Sequence, residues 1–276
     1  MRESPKSWTV RLALVLPLVS SAVLAAEVPH HVSDWMPPAR VDGIAVDDQG
    51  NVYISIRSQN IMQKYAATGD LLISWGGVGS SEGQFSAPID VLLDADGNVL
   101  VADAGWDRIQ KFGPDGSFLS MWGWGVLDGS PEYQVCYSGC QAGINGAGSG
   151  QFAAVRWLGL GPDGSIYAGD TTNDRVTRFT AGGTILGEWG TTGAGPGQFT
   201  FIGDVACDSQ GNVYVIDGEP NNRVQKFTAS GQYLIEWGGF GYGPGQFDDP
   251  SCLGLDDNDI IYVIDLASRK FRRGLG

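Results

Sequence analysis

The stretch Gly197–Trp237, GQFTFIGDVACDSQGNVYVIDGEPNNRVQKFTASGQYLIEW, decides how this chain folds. It contains four short apolar runs, Asp204–Cys207, Val213–Ile216, Val224–Phe227 and Tyr233–Trp237, with the β-branched and aromatic content of strands. Between the runs stand Gly and Asn, which tight hairpins need at positive φ. The order predicts a four-stranded antiparallel meander. Such a sheet has two apolar faces and cannot bury both alone, so it must stack against copies of itself, radially or in a line.

The copies are present. Phe85, Phe152, Phe199 and Phe247 each close a Gly-Gln-Phe, and Trp75, Trp122, Trp189 and Trp237 each end a fourth run and precede a Gly. Their spacing is about 47 residues, or about 67 across one insertion, which suits propeller blades better than helical repeats. NVYIS (51–55), NVLVAD (98–103), SIYAGD (165–170), NVYVID (212–217) and IIYVID (260–265) mark second strands; RIQKF (108–112), RVTRF (175–179) and RVQKF (223–227) mark third strands. From about Val41 to Asp265 this pattern resembles the NHL repeat. The resemblance implies an all-β β-propeller with about five four-stranded blades visible. NHL propellers generally have six, so the chain reads as five-bladed or as a truncated six. The last copy carries a basic cluster, Arg269, Lys270, Arg272 and Arg273, that reads as out of register with RVQKF and favours truncation, with Ser268–Arg273 a poor third strand.

At the start of the chain, Arg2, Lys6 and Arg11 precede an apolar run from Leu12 to Leu24, followed by Ala25 and Ala26. A basic lead, a short apolar stretch interrupted by Pro17 and a small-residue cleavage site predict a secretory signal peptide over residues 1–26 rather than a membrane anchor. Residues 27–276 then form one propeller domain with an insertion loop at 125–149. Val32–Trp35 looks like the fourth-strand sequence of the first blade and is expected to act as a clasp that completes the last blade. The formal charge of the chain is -14, and removing Arg2, Lys6, Arg11 and Glu3 leaves -16. A surface of that sign repels phosphate backbones and anionic headgroups, so nucleic acid is excluded as a partner and membrane insertion is not expected after cleavage.

Four cysteines suit an exported protein. Cys136 and Cys140, both in the insertion, are expected to form a local disulfide. Cys207 reads as a buried thiol, and no Cys207–Cys252 bond is expected. Asp94–Asn98 resembles the opening of a calcium loop, but Gly105 stands where the bidentate Glu belongs, so a hairpin turn is the better reading. Asp103 with Arg108, Asp170 with Arg175 and Asp217 with Arg223 recur once per blade; a feature present three times suits structural ion pairs better than a catalytic site. The four Trp residues belong in the core between blades for the same reason.

Function is to be sought where the blades differ. Propellers bind at loops projecting from a rigid ring. On that ground Arg57, Trp106, Asn173 and Glu219, in loops between second and third strands, are candidate ligand-binding residues. So are Arg156 and Trp157 at the axis and Tyr133 and Tyr137 in the insertion, expected on the same face. The first hypothesis is a secreted or periplasmic, non-catalytic binding propeller for a protein, peptide or glycan, with no cofactor and no metal. The alternative comes from a resemblance at the level of the propeller to peptidyl-hydroxyglycine amidating lyases and streptogramin-type lyases, which implies His residues at the channel. This chain has only His30 and His31, before the first blade, and carries none there. Asp90 and Asp204 on the axis are too few to define a metal site.

Overall fold

The computed structural model describes residue 37, residues 39–267 and the backbone of residues 270–275. The expected signal peptide and the expected clasp at Val32–Trp35 lie outside the described residues. Within them the Gly197–Trp237 stretch is the meander its pattern predicts: β14 (Ile202–Cys207), β15 (Val213–Asp217), β16 (Arg223–Phe227) and β17 (Tyr233–Gly238), paired in that order. The same unit occurs as β1 (Gly43–Val46), β2 (Val52–Ile56), β3 (Ile61–Tyr65) and β4 (Leu71–Gly76), and as β10 (Val155–Leu160), β11 (Ile166–Asp170), β12 (Arg175–Phe179) and β13 (Ile185–Trp189). A further sheet, β5 (Pro88–Leu93), β6 (Val99–Asp103), β7 (Arg108–Phe112) and β8 (Phe118–Trp124), gains a fifth strand, β9 (Tyr133–Cys136), from the insertion. The last sheet has three strands, β18 (Pro250–Leu255), β19 (Ile260–Asp265) and β20 (Lys270–Leu275).

First strands pack on first strands, β1 on β5, β5 on β10, β10 on β14 and β14 on β18, which makes them the inner wall of a β-propeller. No comparable packing joins β18 to β1 among the described residues. Tyr262 shows the consequence: it is 37% exposed, whereas its counterparts Tyr53, Tyr167 and Tyr214 are at most 1% exposed beneath the next sheet.

The basic cluster of the last sheet is a correction to the sequence reading. β20 pairs with β19 so that Lys270 stands opposite Asp265, as Arg108 stands opposite Asp103 and Arg223 opposite Asp217. The pairing of Asp with base is kept, so Lys270, Arg272 and Arg273 are in register with the other third strands.

Each sheet-to-sheet seam is an apolar core, and its largest pieces are the repeated aromatics. Phe85 packs with Phe112, Phe152 with Phe179 and Phe199 with Phe227 at centroid distances of 5.7–5.9 Å, spacing that adds geometric preference to area burial. The fourth-strand Trp reaches over the seam and lies on the outer hairpin of the following sheet: Trp75 against Gly116, Trp122 against Gly183 and Trp189 against Gly231. At Gly231, with φ +83, a Cβ would stand 2.5 Å from Trp189 Cδ2, so the position excludes side chains both by conformation and by space.

Polar latches close the same seams on the loop face. Asn60, Asp107 and Asn222, all left-handed with φ between 47 and 56°, accept the N–H of Ala87, Ala154 and Asp249 of the following sheet at 2.7–3.0 Å. Asn and Asp tolerate that conformation best, and each latch also satisfies an amide that leaves the regular ladder. The sequence signal was available: an Asn or Asp immediately precedes the third strand in each of the first four sheets.

Candidate functional site

In an antiparallel meander the loops from second to third strand and those from one sheet to the next emerge at one end, so they form a single loop face. The repeated residues of that face are consumed by the scaffold. Arg223 donates Nε to Asp217 at 2.9 Å and its Nη atoms to Glu236 and to the carbonyls of Ala194, Gly195 and Gln198 at 2.8–3.0 Å. Arg108 does the same with Asp103 at 3.0 Å and the carbonyls of Ser80, Gln84 and Gln141 at 2.6–2.8 Å. Arg175 stands 3.5 Å from Asp170 and donates to Gly148 and Gln151 carbonyls. Each Asp in turn accepts the N–H that follows the Gly-Gln-Phe: Ser86 on Asp103, Ala153 on Asp170 and Thr200 on Asp217. The ion pair is therefore the clip by which a blade holds the loop entering it, distributed around the wheel.

Burial raises Asp103 to about 6 against the pull of Arg108 and its hydrogen bonds, and lowers the proton affinity of Arg108 as well. Asp170 is raised to about 6 by burial, opposed first by the hydrogen bond from Asn173. In both, desolvation outweighs pairing.

Several sequence candidates turn out to be parts of this scaffold. Trp157, expected at the axis as a ligand contact, is buried in the core between the third and fourth sheets and donates Nε1 to the Ile202 carbonyl at 2.9 Å. Its side chain turns across the seam instead of inward. Asn173 donates to the carbonyl of Gly146 at 2.8 Å and to Asp170 at 2.6 Å. Trp106 is half-buried, with Nε1 on the Gly79 carbonyl at 2.7 Å and its own carbonyl accepting Gly143 N–H. Tyr133 is on β9 at the outer edge of its sheet rather than in a loop. Its ring stacks on Phe179 at 6.0 Å, its hydroxyl donates to the Gly183 carbonyl, and burial pushes its pKa well above the ordinary tyrosine range. The alternation of YQVC (133–136), with Gln134 and Cys136 buried, is the strand signal that could have placed it.

The insertion itself is pinned from both ends. The disulfide Cys136–Cys140 forms, with S–S 2.02 Å, and packs with Met121 and Val126 on the outer edge of the second sheet. Asn145 donates to Asp107 and Cys140 N–H to Glu82. Cys207 is half-buried, outside any disulfide, and burial raises its thiol pKa. Asp94 accepts the amides of Asp96 and Asn98 at 2.9–3.0 Å and pairs with Lys111 at 2.7 Å, the arrangement of a hairpin turn. Asp90 and Asp204 are buried and accept the N–H of Leu158 and Leu253 of the following sheets, both at 2.8 Å, so the axial carboxylates are latches. No group of three or more metal-ligating side chains occurs among the described residues.

What remains on the loop face is singular. Arg57 and Glu219 are exposed and Arg156 is half-buried at the bulge between Val155 and Trp157, whereas Tyr137, expected on the same face and 68% exposed, follows the end of β9 that runs away from it along β8, at the outer edge of the second sheet. To these the structure adds a pair the sequence reading passed over: Phe240 and Tyr242, exposed on the loop before the last sheet with ring centroids 6.2 Å apart. The corresponding loops carry Val78 and Ser80, or Thr192 and Ala194, and that contrast within the repeat was the available signal.

No family model matches the chain, and no curated protein matches it. Solved structures do. It is similar to virginiamycin B lyase from Staphylococcus aureus, at 16% identity and TM-score 0.54 over 85% of this chain and 69% of that one. A streptogramin B lyase aligns at 15% identity and TM-score 0.57 over 87% and 67%. A gluconolactonase from Xanthomonas campestris aligns at 17% and 0.54 over 82% and 69%. At such identities the likeness carries the fold and no chemistry: the chain shares the propeller architecture of these proteins.

Proposed function

We propose that the chain is a non-catalytic binding propeller of NHL type, exported from the cytoplasm, that holds a protein, peptide or glycan on its loop face. The observation that carries this reading is a division of labour. Among the described residues the recurring Asp–Arg pairs of the face are bonded into the scaffold, while residues that occur once, Arg57, Glu219, Phe240 and Tyr242 on the face and Tyr137 at the outer edge of the second sheet, are exposed. Exposed aromatics with polar neighbours on a rigid base have the composition of an interaction hot spot. The Cys136–Cys140 disulfide suits an oxidising compartment, and among the described residues no helix is long and apolar enough to cross a membrane. The acidic surface argues against nucleic acid as the partner.

The lyases and the lactonase among the similar structures supply the competing reading. The Staphylococcus lyase is catalytically inactive when one histidine becomes alanine, and the two histidines of this chain, His30 and His31, precede the first sheet and lie outside the described residues. Glycan and peptide arrays probed with the purified chain test the proposal. Capture should vanish in a Phe240→Ala, Tyr242→Ala double variant with an unchanged melting temperature. Turnover of a lactone or a cyclic depsipeptide by the purified chain would sink it.

A further inference from the structure

Departures from the repeat gather at one part of the wheel. The two residues after each Gly-Gln-Phe are Ser86 and Ala87, Ala153 and Ala154, Thr200 and Phe201, and Asp248 and Asp249. Small at the first two entries, they include a phenylalanine at the third and are both carboxylates at the fourth. The loop between β15 and β16 carries Glu219, and the loop before β18 carries Phe240 and Tyr242. Six residues that break the repeat thus belong to the loop-face ends of the fourth and last sheets.

Contacts draw these residues together around one loop, Gly218–Asn222. Gly218 donates its N–H to the Phe201 carbonyl at 2.8 Å, and a Cβ on Gly218 would stand 2.9 Å from Phe201 Cδ1, so the Phe201 ring lies against the loop that carries Glu219. At the other end of that loop, Asn222 accepts Asp249 N–H on its side chain at 3.0 Å and Gly239 N–H on its carbonyl at 2.8 Å. Asp249 and the root of Phe240 are thereby fixed to the same loop. Phe240 and Tyr242 are 61% and 63% exposed with ring centroids 6.2 Å apart, and Phe201 is exposed as well. Asp248 stands beside the Tyr242 hydroxyl, whose pKa its hydrogen bonding and charge raise. Glu219 and Asp249 are exposed, accept no hydrogen bond on their carboxylates and make no ion pair among the described residues. Arg223, the base that follows this loop, is taken up by its clip.

We propose that this patch docks an extended peptide segment through its arginine or lysine side chains, with the aliphatic stem on the rings of Phe240 and Tyr242 and the cation on Glu219 and Asp249. An exposed aromatic pair on a fixed frame offers large contact area, and its ring faces attract a cation. Long basic side chains lay their stems on apolar surface while the charged head stays at a polar edge. Two carboxylates without cations define the charge that the partner must bring. A neutral sugar stacked on the same rings would leave both unpaired, and an acidic partner is repelled by them and by a chain with 31 acidic residues against 17 basic ones. This inference rests on the loop face being the ligand face and gives that face a position and a partner charge.

Calorimetric titration of the purified chain with a hexapeptide of alternating glycine and arginine, acetylated and amidated at its ends, and with its citrulline twin tests the proposal. Citrulline keeps the shape of arginine and removes the charge. The arginine peptide should bind, weaken with added salt and lose about tenfold or more on conversion to citrulline. Phe240→Ala with Tyr242→Ala should cost about tenfold or more, as should Glu219→Gln with Asp249→Asn. The latter pair keeps the fold, because both side chains are exposed and Asn tolerates the left-handed backbone of Asp249, φ 66. Asp48→Asn with Asp96→Asn removes the same number of charges from exposed hairpin turns at the opposite end of the sheets and should leave affinity within about twofold. Absence of binding up to about 10 mM, equal binding of the arginine and citrulline peptides, or equal losses in the two charge-removing variants would overturn the patch. If array capture is lost in the Phe240, Tyr242 double variant while the Glu219, Asp249 double variant captures normally, the loop-face reading stands and the cationic partner falls.

Discussion

Arg223, at the head of β16, spreads its guanidinium over Asp217, Glu236 and three loop carbonyls. Arg156, on the inner strand of the preceding sheet, meets no acceptor among the described residues. The same side chain in one fold is structural in the first case and idle in the second. What separates them is repetition: Arg223 has counterparts in Arg108 and Arg175, each clipping the loop that enters its blade, and Arg156 has none. The comparison teaches how to sort a repeat protein, because a position used in every blade serves the wheel, and a position used once is available for something else.

The largest effect that could break this contrast is at Arg223. Replacing it by methionine leaves Asp217 buried, with neither its cation nor the loop carbonyls' donor, and should destabilise the chain by about 3–5 kcal/mol. Urea unfolding reads this directly, and a loss under about 1 kcal/mol would show that the clip is decorative.

A second test uses pH. Asp103 and Asp170 have folded pKa values raised to about 6, so between the unfolded value near 3.8 and about 6 the folded chain holds protons that the unfolded chain has lost. Their contribution is fully present below pH 3.8 and disappears as pH rises through about 6, a loss on the order of 3 kcal/mol for each. Asp47, Asp94, Asp163 and Asp208 are shifted downward, with hydrogen bonds and lysine or arginine neighbours outweighing burial, and their contribution fades as pH falls below the same 3.8. Stability should therefore peak in mildly acidic solution. Asp103→Asn should flatten the slope between pH 4 and 6; an unchanged slope would remove Asp103 from the account.

Smaller again is the seam between the third and fourth blades. Gly231→Ala adds a methyl at φ +83 and 2.5 Å from the Trp189 ring, and should cost about 2 kcal/mol. Alanine at Gly97, with φ +77 but nothing within 4 Å, should cost only the conformational part, about 1 kcal/mol. Equal losses at the two sites would mean that the Trp does not bear on its hairpin.

The wheel was legible in the sequence because strand, turn and aromatic signals recur together, so that each copy corroborates the others. Trp157 was misread because alternation along an inner strand cannot say which side of a bulge a side chain leaves. The bulge between Val155 and Trp157 sends the indole across the seam to Ile202 and leaves Arg156 as the odd residue. Tyr133 lies on a strand and not in a loop because four residues of the insertion, YQVC, alternate between buried and half-buried as a strand does. Phe240 and Tyr242 differ from their counterparts, Val78 and Ser80 or Thr192 and Ala194, only in a loop between blades whose glycine framework is otherwise the same. In each case the missing quantity was direction, which pairing register supplies and composition does not.

Arg156→Met is the smallest expected effect and the sharpest. The substitution keeps an unbranched stem of similar length, which can cover the same apolar surface, and removes a charge that meets no acceptor. Folding stability should change by no more than about 0.5 kcal/mol, and toward greater stability, since the variant no longer desolvates a guanidinium beside Arg57. A double variant with Arg57→Met should then show less than the sum of the two single gains, because the repulsion can be relieved only once. A loss above about 1.5 kcal/mol in the single variant would place Arg156 with Arg223, as a residue the wheel needs, and would erase the distinction between repeated and singular positions at the point where it was drawn most strongly.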